Sequence, residues 1–270
     1  MICIRSANIQ RKDESGWDRT INKMREQEQQ EKNKNILNLQ ESQTTARNYD
    51  RIIKSLNETG HVMIGKASNK AKIIINKEHF KEIKDLEDVN ESSYNDNFNI
   101  IKLITQDPNE PNYIILNLYS PQENQSLNFY EEIQNIIRKT MLKEGDDKTL
   151  LIVVGDFNCT ILNDKSDVSM PYDNYKMSNS ANKVLEIMNE NSLEDIFLSD
   201  ETIIEHPDSS NNYTNQMSGD QRRRRLDKFL IQNNYFTDFN LVAFYSRTRV
   251  RIPQSTHFGI KLVLKTKQEI

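Results

Sequence analysis

Glycine is scarce in this 270-residue chain, with seven in all, and six prolines, two cysteines and one tryptophan complete a short list of rare residues. No internal repeat and no Pro/Gly/Ser-rich linker divides the sequence. Cys3 and Cys159 lie in or beside predicted strands and offer neither a disulfide framework nor a metal cluster. No apolar run approaches the ~18 residues that cross a bilayer. The opening Met-Ile-Cys-Ile-Arg-Ser-Ala-Asn lacks the apolar stretch of a secretory signal. These absences point to an intracellular protein of nucleus or cytoplasm, neither secreted nor in contact with a membrane. Sequons such as Asn57-Glu-Thr and Asn212-Tyr-Thr then read as accidents of an Asn-rich composition.

Apolar residues make up only 36%, and the formal charge is −4, so the chain is no globally basic nucleic-acid binder. The charge is unevenly spread. Residues 221–270 carry 11 Lys/Arg against 3 Asp/Glu, leaving 25 against 37 in residues 1–220. Arg222, Arg223, Arg224 and Arg225, then Arg247, Arg249 and Arg251, dominate the basic end. Either cluster alone reads as a solvated face. Both together, beside a candidate site, read as a rim facing a polyanion.

The length allows two average domains or one large α/β domain, and we expect one spanning 1–270. A polar low-complexity tract at about 26–35 interrupts it. Strands are expected at Ile2–Asn8, Asn35–Glu41, His61–Gly65, Ala71–Asn76, Phe98–Thr105, Asn112–Tyr119, Leu150–Val154, Arg225–Ile231, Leu241–Tyr245 and Phe258–Leu264. Helical spacing links Trp17, Ile21 and Met24. It links Ala46, Tyr49, Ile53 and Leu56 before Gly60, and Tyr130, Ile133, Ile136, Ile137 and Met141 after a capping Ser126. A further helix covers Ala181–Asn191. Residues 85–96 and 164–180 read as loops. Such a mixture fits two sheets or one large sheet with interposed helices.

The richest stretch is Leu150 to Asn158, Leu-Leu-Ile-Val-Val-Gly-Asp-Phe-Asn. Five apolar residues form a strand buried on both faces, which stops at Gly155 and presents Asp156 and Asn158 at its lip. Alone, Gly-Asp-x-Asn is a polar turn. Asn8, Glu41 and Tyr119 also close predicted strands, Asp227 opens another and His257 precedes the final one. Metal-ligand, acid–base and phosphate-contact side chains are thus all represented, with no cysteine nucleophile.

In order and context these pieces resemble the endonuclease/exonuclease/phosphatase superfamily. The matching residues are Asn8 in Ser-Ala-Asn-Ile-Gln, Leu39-Gln-Glu41, Tyr119-Ser-Pro121, Gly155-Asp-Phe-Asn158, Arg225-Leu-Asp227 and Ser255-Thr-His257. Leu193-Glu-Asp-Ile-Phe and His206-Pro…Tyr213-Thr look most like the apurinic/apyrimidinic-type endonuclease domains of LINE-type retrotransposons. The resemblance implies a DNase I-like four-layer α/β/β/α sandwich. It also implies hydrolysis of a phosphodiester with Mg²⁺ or Mn²⁺, and DNA rather than RNA as partner. Glu41 and Asn8 would hold the metal and Asp156 would activate water. Asn158, Tyr119 and an Asp227-paired His257 would contact the phosphate. A monomer is expected, and target-primed insertion would need a separate reverse transcriptase.

The sequence departs from the family where Ser-Asp-His becomes Ser255-Thr256-His257, replacing a carboxylate with a neutral hydroxyl. A catalytically weakened domain that binds nucleic acid or protein is therefore an alternative. Hydrolysis of RNA or phospholipid head groups is another, since fold does not fix substrate.

Overall fold

The computed structural model describes residues 1–9, 34–86, 92–122, 125–162, 167–169, 176–205, 213–215, 223–247, 257 and 259–269, with Trp17, Arg19, Asn22 and Glu26. In chain order the elements are β1 (Ile2–Asn8), β2 (Lys34–Gln40), α1 (Ala46–Asn57), β3 (His61–Ile64), β4 (Lys72–Asn76), β5 (Phe80–Asp85), β6 (Phe98–Thr105) and β7 (Asn112–Tyr119). They continue with α2 (Leu127–Glu144), β8 (Thr149–Asp156), α3 (Asn179–Glu190), β9 (Leu193–Asp195), β10 (Thr202–Ile204), β11 (Asp227–Gln232), β12 (Leu241–Arg247) and β13 (Ile260–Thr266).

The strands form two sheets, ordered β10-β12-β13-β1-β2-β4-β3 and β5-β6-β7-β8-β11-β9. Both are mixed: β1 and β2 run parallel, as do β7 and β8, whereas β13 and β11 are antiparallel to their neighbours β1 and β8. Alternation along β8 shows how the layers are built. Leu150, Ile152 and Val154 point into the core shared with Ile2, Ile4, Ile36 and Leu262 of the other sheet. Leu151 and Val153 point outward and pack with Tyr130, Ile133 and Ile137 of α2 and Val184 of α3. A strand covered on both faces has no reason to alternate polar and apolar residues, which is why this one reads as a continuous run. On the far side Ile52 and Leu56 of α1, with Trp17, cover Leu37, Leu39 and Ile74. The result is a four-layer α/β/β/α sandwich. Each buried aliphatic side chain contributes roughly 1.5–3 kcal/mol to holding the layers together.

Several elements differ from expectation. β5, β9 and β10 are strands that periodicity did not reveal. β5 is an edge strand whose Lys81 and Glu82 are exposed, and β9 and β10 have three residues each. Ser126 does stand at the start of α2, but its hydroxyl donates to Ser180 Oγ at 2.7 Å instead of capping the helix. Among the described residues, no helix is long and apolar enough to cross a membrane.

Candidate active site

The polar residues at strand ends collect at one edge of the sandwich because the pairing forces them there. In the parallel β7–β8 ladder Tyr119 lies opposite Asp156, and in the antiparallel β8–β11 ladder Asp156 lies opposite Asp227. Asn8 ends β1, and Glu41 follows β2, which runs parallel to it. The positive φ of Gly155, +141°, is a backbone state that side chains rarely adopt. A Cβ there would meet the Leu118 carbonyl oxygen of β7 at 1.9 Å, so only glycine lets β8 deliver Asp156 to this edge. Glu41 and Asn158 are both held at φ 48°, in the left-handed region, immediately beyond their strands. Asparagine tolerates that state, but a glutamate there is uncommon, as often happens where side chains are held for function.

Hydrogen bonds tie the two sheets together across the site. Asn8 donates from Nδ2 to Asp156 Oδ2 at 2.9 Å, and the Asn158 backbone N–H donates to Asp156 Oδ1 at 2.9 Å. The Tyr119 hydroxyl donates to Glu41 Oε1 at 2.7 Å. His257 Nδ1 lies 2.8 Å from Asp227 Oδ2, and its Nε2 lies 3.7 Å from Asp156 Oδ2. Asn158 Nδ2 is spent on the Ser120 carbonyl at 2.7 Å, which braces the turn after β7. Asn8, Glu41, Tyr119, Asp156, Asn158, Asp227 and His257 therefore stand in one connected cluster.

Burial sets the electrostatics. It pushes the Asp156 carboxyl up to about 6, with the Asp227 charge adding to it and His257 and the N–H donors opposing. Burial works against a charged His257, but Asp227 and then Asp156 outweigh it and raise the imidazole to about 9. The site thus holds an imidazolium at neutral pH beside a carboxyl that titrates close to neutrality. Burial and the bond to Glu41 keep Tyr119 a neutral phenol far above its usual range.

Asp156, Asp227 and His257 each offer an atom within 4.8 Å of the others; the two carboxylates can ligate a divalent ion as they stand, and His257 only after giving up its Nε2 proton. The carboxylates of this set suit a hard cation, and Glu41 and Asn8 bring further oxygen atoms to the same edge. A further sign is Asp227 Oδ1, a buried carboxylate oxygen that finds no hydrogen-bond donor among the described residues. Burying such an atom is costly unless another group satisfies it.

Two neighbours complete the cluster, one of them unmarked in the sequence. Asn215 Nδ2 lies 3.0 Å from His257 Nε2, and these residues also form a β-bridge. The Thr214 hydroxyl accepts from the backbone N–H groups of Leu226 and Asp227, both at 3.0 Å, fixing where β11 begins. The Tyr213-Thr pair was visible as a motif, whereas nothing marked Asn215.

One arginine is misassigned by sequence. Arg225 is only 1% exposed, and its guanidinium is paired with Asp167 at 2.5 Å and Asp195 at 2.8 Å while lying over Phe197. It is an internal strut, unavailable to a polyanion. Lys228, likewise buried, completes the network at 3.0 Å from Asp167. Arg223, Arg224 and Arg247 are partly exposed. Arg222, Arg249, Arg251 and Thr256 lie outside the described residues.

No family model matches the chain, and neither does any curated protein. Solved structures do match. An AP endonuclease from Archaeoglobus fulgidus superposes with a TM-score of 0.66 at 15% identity, over 98% of this chain and 100% of that one. A 3′ phosphatase from Neisseria bound to a product DNA hairpin gives 0.66 at 14%, over 98% and 100%. The AP endonuclease LMAP from Leishmania major gives 0.65 at 13%, over 97% and 86%. At these identities the likeness is one of fold. It is the DNase I-like sandwich, which an endonuclease/exonuclease/phosphatase family protein from Leptotrichia buccalis also matches.

Proposed function

We propose that the chain is a divalent-metal-dependent phosphodiester hydrolase that nicks DNA. The carrying observation is the buried Asp156–His257–Asp227 cluster, joined through Asn8 to the sheet that carries Glu41. Glu41 and Asn8 would supply oxygen ligands to a Mg²⁺ or Mn²⁺, which when bound would offset negative charge on the phosphodiester. Asp156, near 6, is a base whose strength suits taking a proton from water at neutral pH. Asn8 and the Asn158 N–H fix its carboxylate, so its lone pairs point in set directions. His257, held by Asp227, keeps its proton and presents a positive N–H to charge developing on the phosphoryl oxygens. The neutral Tyr119 hydroxyl, oriented by Glu41, is a second donor at the same edge.

DNA is the favoured polyanion because two AP endonucleases and a DNA-bound 3′ phosphatase share the fold over nearly the whole chain. The basic run through Arg223 and Arg224 supports a backbone grip. Within this class we favour the retrotransposon type of endonuclease, on Leu193-Glu-Asp-Ile-Phe and Tyr213-Thr. Asp195 of the first segment anchors Arg225, and Thr214 of the second anchors β11.

Nicking of supercoiled plasmid with Mg²⁺ or Mn²⁺, against EDTA and Asp156→Ala controls, tests the proposal. Nicking abolished by both controls is the expected result. A folded protein that leaves plasmid intact in either metal overturns it, and Thr256→Asp then asks whether a lost carboxylate is responsible.

A further inference from the structure

The inner faces of the two sheets change character along their length. Away from the site they meet through Ile2, Ile4, Ile36, Ile115 and Ile152. One turn of the pleat before the site, buried polar groups take over. Asn117 on β7 reaches across the gap and donates from Nδ2 to the Lys72 carbonyl of β4 at 2.9 Å and the Leu39 carbonyl of β2 at 3.2 Å. Its Oδ1 accepts from Gln40 Nε2 at 2.7 Å, and Gln40 Oε1 in turn accepts from Ser6 Oγ of β1 at 3.2 Å. Asn117, Gln40 and Ser6 are at most 1% exposed.

We infer that Asn117 and Gln40 form an inter-sheet latch that sets the distance between the two halves of the active site. Asn117 stands two residues before Tyr119, on the same face of β7, and Gln40 immediately precedes Glu41. The chain beyond each latch residue therefore carries one partner of the Tyr119–Glu41 hydrogen bond. Ser6, likewise, stands two residues before Asn8, which bonds Asp156 across the same gap. Apolar contact is non-directional, whereas these hydrogen bonds hold only within narrow limits of distance and angle. Since misplacing reacting groups by about 1 Å can cost a hundredfold in rate, a polar latch here serves geometry more than cohesion.

Asn117 and Gln40 are thus positioning residues. This inference rests on the proposed hydrolase reading for its kinetic arm, but not for its binding arm. Asn117→Leu and Gln40→Met each replace a latch side chain with an apolar one of similar size, and the double variant closes the cycle. Three quantities are read: melting temperature, Mn²⁺ affinity by electron paramagnetic resonance, and kcat and KM on a duplex oligonucleotide. We expect each single variant to remain folded but to melt below wild type, since it leaves a buried partner unsatisfied, and the double variant to recover part of that loss. Mn²⁺ affinity and kcat fall by roughly 10–100-fold, the loss typical of removing a residue that orients metal ligands. KM changes little, and the double variant is no worse than the single ones.

Folded variants that keep Mn²⁺ affinity and kcat within about twofold of wild type overturn the latch. So does a loss of activity that only follows a loss of folded protein. If Asn117→Leu does not fold, Gln40→Met decides alone. Wild-type protein that binds Mn²⁺ but cuts no DNA defeats the hydrolase reading while the Mn²⁺ arm still decides the latch. Wild-type protein that binds no Mn²⁺ overturns both.

Discussion

Asp227 lies directly opposite Asp156 across the β8–β11 ladder, and His257 reaches both, at 2.8 Å and 3.7 Å. Two buried carboxylates on neighbouring strands repel each other. The imidazolium that reconciles them is thereby held in place.

This arrangement separates stability from activity. Asp156→Asn should reduce nicking by about a hundredfold or more, as removing a general base does. It should leave the melting temperature unchanged or raised, because a carboxyl whose folded value is pushed up weakens folding once it ionises. Parallel melting and plasmid assays at pH 7.5 check both.

Asp227→Asn addresses orientation. The imidazole loses the negative partner of Nδ1, so its raised value of about 9 should fall toward the ordinary histidine range. Activity should drop sharply, with the steepest loss above neutral pH where the imidazole is no longer charged. A pH profile identical in shape to wild type would count against the assigned role.

Asp167 gives a pH dependence away from the chemistry. Burial opposes its charge, but Lys228 and Arg225 outweigh burial and hold its carboxyl down at about 2. A group lowered on folding stabilises the native state above its unfolded value near 4, and loses that contribution as pH falls toward 2. Asp167→Asn should cost about 3–5 kcal/mol at pH 7, since buried Lys228 loses its carboxylate and Arg225 one of two. The gap from wild type should narrow by about 2 kcal/mol as pH falls from 5 to 2, as chemical denaturation at a series of pH values would reveal.

The basic segment divides in two. Arg225→Ala should destabilise the fold by about 3–5 kcal/mol. Replacing both Arg223 and Arg224 by alanine should cost much less stability than Arg225→Ala and flatten the salt dependence of DNA binding by roughly 0.9 in slope per charge lost. Fluorescence anisotropy between low and moderate salt distinguishes them.

Gly155→Ala should cost more than about 2 kcal/mol, since the backbone state is strained for alanine and the new methyl strikes the Leu118 carbonyl. Thermal melting measures it.

Much of the architecture was legible because burial on two faces writes long apolar runs. Phe98–Thr105 and Asn112–Tyr119 lie where the sequence placed them, to the residue. β5 was not legible, since an edge strand with solvent on one side can carry Lys81 and Glu82 without cost. Strand ends gave the site its candidates, but sequence could not show which polar residues face inward. Asn117 and Gln40 sit in an Asn- and Gln-rich chain where such residues signal nothing locally, and their meaning comes from carbonyls on strands far away in sequence. Arg225 failed for the opposite reason. A run of four arginines looks uniform in one dimension, and only the positions of Asp167 and Asp195 single out one of them for the interior.

The place of β13 bears on how the molecule comes into being. It lies between β12 and β1, so the sheet that carries Asn8 has no continuous hydrogen-bonded middle until residues 260–266 emerge from the ribosome. His257 arrives in the same stretch. Pairings of such long sequence separation form slowly, so β1 can join β2 well before β13 closes its other side. The strand that completes this sheet and the histidine that completes the cluster thus lie within a few residues of each other, so closing the sheet and seating His257 are one event.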